Sequence, residues 1–433
     1  MAIWLWILLA WCISLIALKG KKVRLEHFVW LLIPVDMYGL TIAGVTLKPY
    51  MIFCGFLLFR MMLSGKMELS VKSRWSLITG VLVLLMISLN AINNSSLQSL
   101  ISTVMVAVVW VCSMIYMSDC ADGTPDDIAE VMLAAGIGFG AVFVMGYFCM
   151  ELNLNLPGIV ADTRAEPGFF MGMNNMYEGK FVHAVRLRGF TIDPNCLLAP
   201  FLFSTGVAIM RLISGSGRLR EILALVLAWW CILLSNSRMG LICCAFIVLI
   251  GTIVAYPMGT ERCKRRVKIT VLLLIAGCIL LSVTGVFSRV IMSVIANYQN
   301  RSGLNDEYGR FTIWKDAVNV LVENNLFFGV GNGQIQFITA KARACHNTWL
   351  EFICAFGLLL GGVVVGHFVA MLVNGGLYAY RSRTDVFAWI IFLGTAGVVL
   401  SLVGVDNLTS SYLWFSATMV SSVSAGCWRK KVI

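Results

Sequence analysis

Charge is what this sequence has least of. Asp, Glu, Lys and Arg together make up 13% of its 433 residues, about half the share of a soluble domain, and that scarcity excludes a water-soluble globule. The alternating segments of about ten residues that mark a membrane barrel are missing too. Ligand spacing is equally absent. The fourteen cysteines include no C-x-x-C and no Cys/His set, and Cys12, Cys54, Cys112, Cys231, Cys243, Cys244 and Cys278 sit inside apolar runs as small packing residues. Residues 1–18 lack the basic n-region and A-x-A site of a cleaved signal peptide, so a retained first helix is expected, with no soluble domain at either end. Histidine is sparse, with His27, His183, His346 and His367 the four in the chain.

What is there is hydrophobic. Apolar residues make up 59% of the chain, mean hydropathy is +0.86, and the apolar runs of about 17 to 28 residues are unbroken, which predicts transmembrane helices. The expected fold class is all-α, a polytopic transmembrane helical bundle forming one integral membrane domain over residues 1–433. Runs at roughly 2–18, 28–46, 49–65, 75–90, 97–117, 131–151, 195–212, 220–235, 238–257, 269–288, 346–375, 386–404 and 409–427 give about thirteen spans, within a range of about 12–14. Between 28 and 65, Pro34, Asp36 and Lys48-Pro49 interrupt the pattern and leave one broken helix or two.

Lys and Arg collect in alternate loops, at 19–24, 60–74, 211–220, 262–268, 381–383 and 429–431, and the positive-inside rule assigns that face to the cytoplasm. The net charge of +11 is thereby explained by topology, with the lipid bilayer as partner and no nucleic acid required. The same assignment sends two long loops, 152–194 and 289–345, to the extracytoplasmic face. Both carry cations: Arg164, Lys180, Arg186 and Arg188 in the first, and Arg289, Arg301, Arg310, Lys315, Lys341 and Arg343 in the second. Long loops translocate whatever their charge, which accounts for the scattered lysines. It does not account for Arg238, which stands in the tight turn Ser235-Asn236-Ser237-Arg238 between two spans.

Asp193 is a natural N-cap with Pro194 at the first helical position and Asn195 after it; Ser237 can cap the helix opening at Arg238; and Asn347, after His346, opens the span 346–375. A cation beside a helix N-terminus opposes the macrodipole and asks for an anion between them. Free N–H groups with guanidinium forks make a phosphate site, and Arg186 or Arg188, Arg238 and Arg310 are its candidates, the alternative being snorkelling to lipid headgroups. In the second loop, Phe311, Trp314, Val318 and Leu321 fall on one face of a predicted surface helix that would lie in the membrane interface, with Trp314 as anchor and Arg310 near headgroup level. The run Gly329-Val330-Gly331-Asn332-Gly333 follows no strand and lacks a trailing Gly-Lys-Ser/Thr, so it reads as a turn. His346 becomes a candidate base through its position, since an imidazole near several arginines stays neutral near pH 7 and can accept a proton.

In order, R-x-x-G-x-x-x-D-P-N (Arg186, Gly189, Asp193, Pro194, Asn195), Ser237-Arg238, G-R-x-x-x-W (Gly309, Arg310, Trp314) with Gly329-Val330-Gly331, and His346-Asn347-Thr348-Trp349-Leu350-Glu351 followed by Gly357-Leu358 form a set. That set resembles the O-antigen ligase and Wzy-type polymerase family of bacterial envelopes, over roughly residues 130–405. The resemblance implies a multispan α-helical glycosyltransferase of the GT-C kind, with short interfacial helices in both outer loops. It would act at the periplasmic face of the inner membrane on glycans carried by undecaprenyl diphosphate. It further implies Arg186, Arg238 and Arg310 on the donor diphosphate and His346 as general base. Arg188 is an extra arginine beside the family position, and Asp193, Asn195, Ser237, Asn347, Trp314 and Glu351 would complete the substrate site, with Glu351 or Asp193 as the substitute base. No cofactor and no metal are expected, and a chain-length regulator and a flippase of the same pathway are the implied partners. The D-P-N form and modest loops favour a polymerase; a ligase and a lipid-linked oligosaccharide transporter stay open.

Overall fold

The computed structural model describes residues 2–18, 23–42, 45–65, 73–93, 96–120, 125–154, 156–161, 166–177, 180–261, 264–265, 268, 310–339, 344–382, 384–405 and 407–425, and the side chains of 173–184 are not among what it describes. The expected span 269–288, together with Arg164, Arg289, Arg301, Gly309, Lys341, Arg343 and the side chains of Lys180 and His183, lies outside these residues.

The chain is mostly helical. In order come α1 (Ala2–Ala17), a 3₁₀ turn running into the short α2 (Val29–Leu32), a hairpin of β1 (Leu40–Ile42) and β2 (Val45–Leu47), α3 (Pro49–Leu63), α4 (Arg74–Ile92), α5 (Leu97–Cys120) and α6 (Pro125–Glu151). After a three-stranded sheet follow α7 (Leu198–Ser214), α8 (Leu219–Leu234), α9 (Arg238–Ala255), α10 (Arg310–Asn324), α11 (Ile335–Ile338), α12 (Thr348–Phe356), α13 (Gly362–Arg381), α14 (Val386–Ser401) and α15 (Ser411–Ser424). Among the described residues, six stretches are long and apolar enough to cross a membrane: Arg74–Ile92, Leu97–Ser118, Asp126–Glu151, Arg238–Met258, Thr348–Arg381 and Val386–Gly404. Ala2–Ala17, Pro49–Leu63 and Leu198–Ser214 are apolar but shorter.

Three expectations need correction. The run 28–46 is not a span: the polar interruption around Asp36 resolves into a turn and the β1–β2 hairpin, with the Lys48 Nζ bonded to Asp36 Oδ1 at 2.5 Å to pin the hairpin shut. The first long loop is not helical. It carries β3 (Val160–Ala161), β4 (Phe170–Tyr177) and β5 (Lys180–Leu187), with β4 and β5 antiparallel in the register Phe170 to Leu187 and Met171 to Arg186. And α7 begins at Leu198, not at Asn195, because Asp193 turns its carboxylate onto Asn195, which donates to it from both its main-chain N and its side chain, instead of onto a helix.

The bundle is built around α7. Nearly every residue from Leu198 to Ile213 is buried, as an apolar sequence without a polar stripe requires, and α6, α8, α9 and α14 pack around it. Close approach depends on small residues: a Cβ at Gly136 of α6 would collide with the Ser204 side chain. At its C-terminal end α7 is fastened by ions. The Arg211 guanidinium meets Glu130 at 2.8 Å, Asp126 at 2.5 Å and Glu221 at 3.7 Å, while Arg220 meets Glu130 at 2.6 Å and the Ala17 carbonyl at 3.1 Å. Helices α1, α6, α7 and α8 are joined there.

The expected span 346–375 is bent. Gly357 sits at φ 72 between α12 and a π-helical turn, Gly357–Gly361, and a Cβ there would strike the Phe327 carbonyl. The glycine run crosses at the same point. Gly329 also has positive φ, and Val330 N and Gly331 N donate to Cys354 O and Ala355 O at 2.9 and 3.0 Å. The run is a turn, as expected, and its task is to clamp the bend.

Candidate functional site

At the other end of α7 a chain of hydrogen bonds ties two helix N-termini together. Ser237, extended at φ −99, accepts from Gly240 N at 3.1 Å and so caps α9; its hydroxyl donates to Asn195 Oδ1 at 2.7 Å. Asn195 in turn donates from Nδ2 and from its main-chain N to Asp193 Oδ1 at 2.9 and 2.8 Å. The cap expected of Ser237 is present. The one expected of Asp193 is replaced by an Asx turn, which leaves the carboxylate beside the start of α9.

Arg186, on β5, and Arg188, just past its end, have different tasks. Arg186, 7% exposed, donates from Nε to Ser235 O at 2.9 Å and from Nη2 to Asn236 O at 3.4 Å, gripping the turn that carries Ser237 and Arg238. That turn needs the grip, because Asn236 is left-handed at φ 49. Arg188, wholly buried, donates to the Gly168 and Glu166 carbonyls instead and holds the loop edge. Of the two, Arg186 is the one that reaches the Ser237–Arg238 turn.

Arg310 opens α10 and donates from Nη2 to Gly404 O at 3.1 Å. Burial lowers its pKa from the usual guanidinium value; the Asp193 carboxylate opposes that shift and the Arg238 cation adds to it. Two cations and one carboxylate therefore share one electrostatic neighbourhood, though they come from α9, α10 and the segment before α7.

The buried face of α10 is Ile313, Ala317 and Leu321, while Phe311 and Val318 are 49% and 43% exposed. The single apolar stripe expected through Phe311, Trp314, Val318 and Leu321 is thus split, since Leu321 turns inward. Trp314 is half-buried and donates from Nε1 to Cys345 O at 2.9 Å. That bond seats the residue before His346 on the same helix that carries Arg310.

His346 is half-buried with left-handed backbone at φ 49, an uncommon state for a non-glycine residue that persists where the surroundings impose it. The imposing contacts flank it. Trp314 holds Cys345, and the Asn347 side chain caps α12 by accepting from Trp349 N and Leu350 N at 3.0 and 3.2 Å. Next in line, Thr348 Oγ1 donates to Val405 O at 2.8 Å and accepts from Asn407 N at 3.1 Å. Glu351, 1% exposed, accepts from Gly333 N at 3.0 Å through Oε1.

Arg186, Asp193, Asn195, Ser237, Arg238 and Arg310 thus come together, His346, Asn347 and Trp314 attach through α10 and α12, and Arg188 stands apart. Sequence reasoning missed Gly404, Asn407 and Thr348, which link these two groups. The polar run Asn407-Leu408-Thr409-Ser410 at the head of an apolar span was the available signal. Two cavities border the region. One, of about 20 Å³, lies among Asp36, Asn195, Cys196, Asn407 and Tyr412; the other, of about 220 Å³, lies among Ser102, Asn332, Gly333, Gln336, Glu351, Asn407 and Thr409.

No curated protein matches the chain. Residues 223–365, roughly a third of its length, match the family model described as O-antigen ligase. The match opens within α8 and closes within α13, so it spans Ser237, Arg238, Arg310 and His346 but stops short of Arg186 and Asp193. The resemblance read from the motifs is borne out, and over residues 223–365 the chain is similar to the O-antigen ligase family.

Proposed function

We propose that the protein is a polysaccharide polymerase that transfers a growing glycan from undecaprenyl diphosphate to the next lipid-linked repeat unit, at the outer face of the bacterial inner membrane. The observation that carries the reading is that Arg186 grips the turn carrying Ser237 and Arg238 at the start of α9, while Arg310 feels both the Arg238 cation and the Asp193 carboxylate. Main-chain N–H groups with guanidinium donors suit a diphosphate.

In this scheme the acceptor hydroxyl attacks the anomeric carbon while the bond from that carbon to the diphosphate oxygen breaks. Arg238 and Arg310 stabilise the negative charge that grows on the departing diphosphate, in the role a metal ion fills elsewhere. His346 takes the hydroxyl proton, and back-side attack inverts the anomeric centre. Asn195 and Ser237 hold the two helix ends in register, and Trp314 and Asn347 hold His346. The positive-inside rule puts this end of the bundle outside, because Arg211, Arg218 and Arg220 cluster at the other.

Ligation of the finished glycan to lipid A-core, or to protein, is the second reading, favoured by the description of the matching family. A transporter of lipid-linked oligosaccharide is a third. Deleting the gene separates them. Single repeat units left on lipid and surface support polymerase, full-length polymer stranded on lipid means ligase, and precursor retained on the inner leaflet means transport.

A further inference from the structure

The glycine run does more than clamp a bend, because its last residues form one wall of the larger cavity. Asn332 is 6% exposed; its N–H donates to Asn90 Oδ1 at 3.2 Å and its amide to Thr103 Oγ1 at 3.2 Å. Asn90 also donates to Thr103 Oγ1 at 3.1 Å and accepts from Ser99 Oγ at 3.1 Å. Helices α4 and α5, whose sequences carry no motif, are thereby locked to the glycine run by a buried polar network. Such a network specifies one arrangement when its members are satisfied.

The cavity so framed measures about 220 Å³, and its lining has a particular chemistry. Ser102, Asn332, Gln336, Asn407 and Thr409 present hydroxyls and amides, and Glu351 presents a carboxyl; among the described lining residues there is no guanidinium or ammonium. Glu351 Oε1 is bonded to Gly333 N, but Oε2 is buried without a partner at hydrogen-bond geometry, the Cys345 thiol being a weak donor beside the carboxyl. A buried carboxyl oxygen with no donor costs free energy unless something supplies one. A diphosphate cannot, since a carboxylate repels it. A neutral, hydroxyl-rich ring can.

We propose that this cavity is the sugar-binding subsite for the acceptor glycan, with Glu351 and Gln336 accepting and donating hydrogen bonds to its ring hydroxyls. The proposal rests on the transferase reading above. Position favours the acceptor over the donor sugar. Asn407 and Thr409 in the cavity wall follow closely on Gly404, which holds Arg310, and on Val405, which Thr348 reaches. Ala344, two residues before His346, lines the cavity as well. The cavity is thus lined within two residues of the candidate base, and no described arginine is among its lining residues.

The test uses the purified full-length protein in lipid, single-unit lipid-linked glycan extracted from cells lacking the gene, and long-chain lipid-linked donor prepared with the wild-type protein. Glu351→Gln and, from the α5 side, Ser102→Trp are expected to raise KM for the single-unit acceptor by roughly tenfold, while donor KM stays within about twofold. Ser102→Trp fills the cavity without touching Glu351, so it decides the matter if Glu351→Gln does not fold. Unchanged acceptor KM in both variants, or a rise in donor KM alone, overturns the subsite and leaves the arginine site standing. Normal elongation by Arg238→Ala together with raised acceptor KM in Ser102→Trp does the reverse: the diphosphate reading falls and the cavity stands.

Discussion

The two ends of α7 use arginine in opposite ways. At the C-terminal end, Arg211 is surrounded by the carboxylates of Glu130, Asp126 and Glu221, and Arg220 shares two of them. At the N-terminal end, Arg186 and Arg310 reach main-chain carbonyls, of Ser235, Asn236 and Gly404, and Arg310 feels both the Asp193 carboxylate and the Arg238 cation. A guanidinium matched by carboxylates is a fastener: its field is cancelled locally. Carbonyl dipoles fix a guanidinium in place while cancelling far less of its charge, which is the arrangement an anion-binding site needs.

Removing one arginine from each end breaks that comparison most directly. Arg238→Ala or Arg310→Ala is expected to reduce transfer by about 10²–10³-fold, the scale for deleting a single charge-stabilising donor, with normal protein in the membrane fraction. Arg211→Ala leaves Glu130 and Glu221, both 3% exposed, with Arg220 as their shared cation, and losing one partner of a buried ion pair costs about 3–5 kcal/mol. Its expected phenotype is loss of the protein itself, seen by immunoblot. Wild-type chain lengths in Arg238→Ala, or normal abundance of Arg211→Ala, would erase the distinction between the two ends.

His346→Ala probes the same end at the proton. General-base catalysis contributes about 10²–10⁴-fold, so transfer should fall by that much while lipid-linked donor still binds. Near-normal transfer would hand the base role to Glu351 or Asp193.

Arg186 and Arg188 offer a smaller, internal version of the comparison, two residues apart at the end of β5 and just beyond it. Arg188, wholly buried on the Gly168 and Glu166 carbonyls, should behave as a fastener: Arg188→Ala lowers abundance and melting temperature. Arg186→Ala releases the Ser235–Asn236 turn and so should misplace Arg238, lowering transfer with a smaller change in melting temperature. Measuring both properties in both variants separates the roles, and identical profiles would merge them.

Most of the bundle was legible because a span announces itself by length and hydropathy: the expected 97–117, 220–235, 238–257 and 386–404 end within a few residues of α5, α8, α9 and α14. Ser237 and Asn347 were legible as caps because capping is local chemistry. Asp193 misled for the same reason, since one carboxylate can serve a helix or an Asx turn and only the neighbouring Ser237–Asn195 bond decides. The sheet in the first loop was hidden because Phe170–Tyr177 and Lys180–Leu187 mix apolar and polar residues without strict alternation. Arg186 and Arg188 are two apart and would share one face of a continuous strand; they diverge because β5 ends at Leu187, which leaves Arg188 on the Gly168 and Glu166 carbonyls, and that strand end could not be read from the sequence. The Asn90–Thr103–Asn332 network joins residues more than two hundred positions apart, and no local pattern could foretell it.

The smallest expected effect is none at all, and it tests the comparison at its root. If carbonyl-seated guanidinium groups carry the charge of the departing diphosphate, their positive charge is built into the chain and cannot be extracted. Purified protein incubated with lipid-linked glycan should then elongate it equally in EDTA and in added Mg²⁺. Arg310 is the sensitive member of the set, since burial and Arg238 both lower its pKa while Asp193 restores it. Asp193→Asn removes a negative charge that repels the diphosphate while Arg310 stays protonated, so donor binding should hold or tighten without creating a requirement for Mg²⁺. Activity abolished by EDTA and rescued by a divalent ion would mean that the cations at the N-terminal end of α7 do not suffice, and that this end, like the other, is completed by counter-ions.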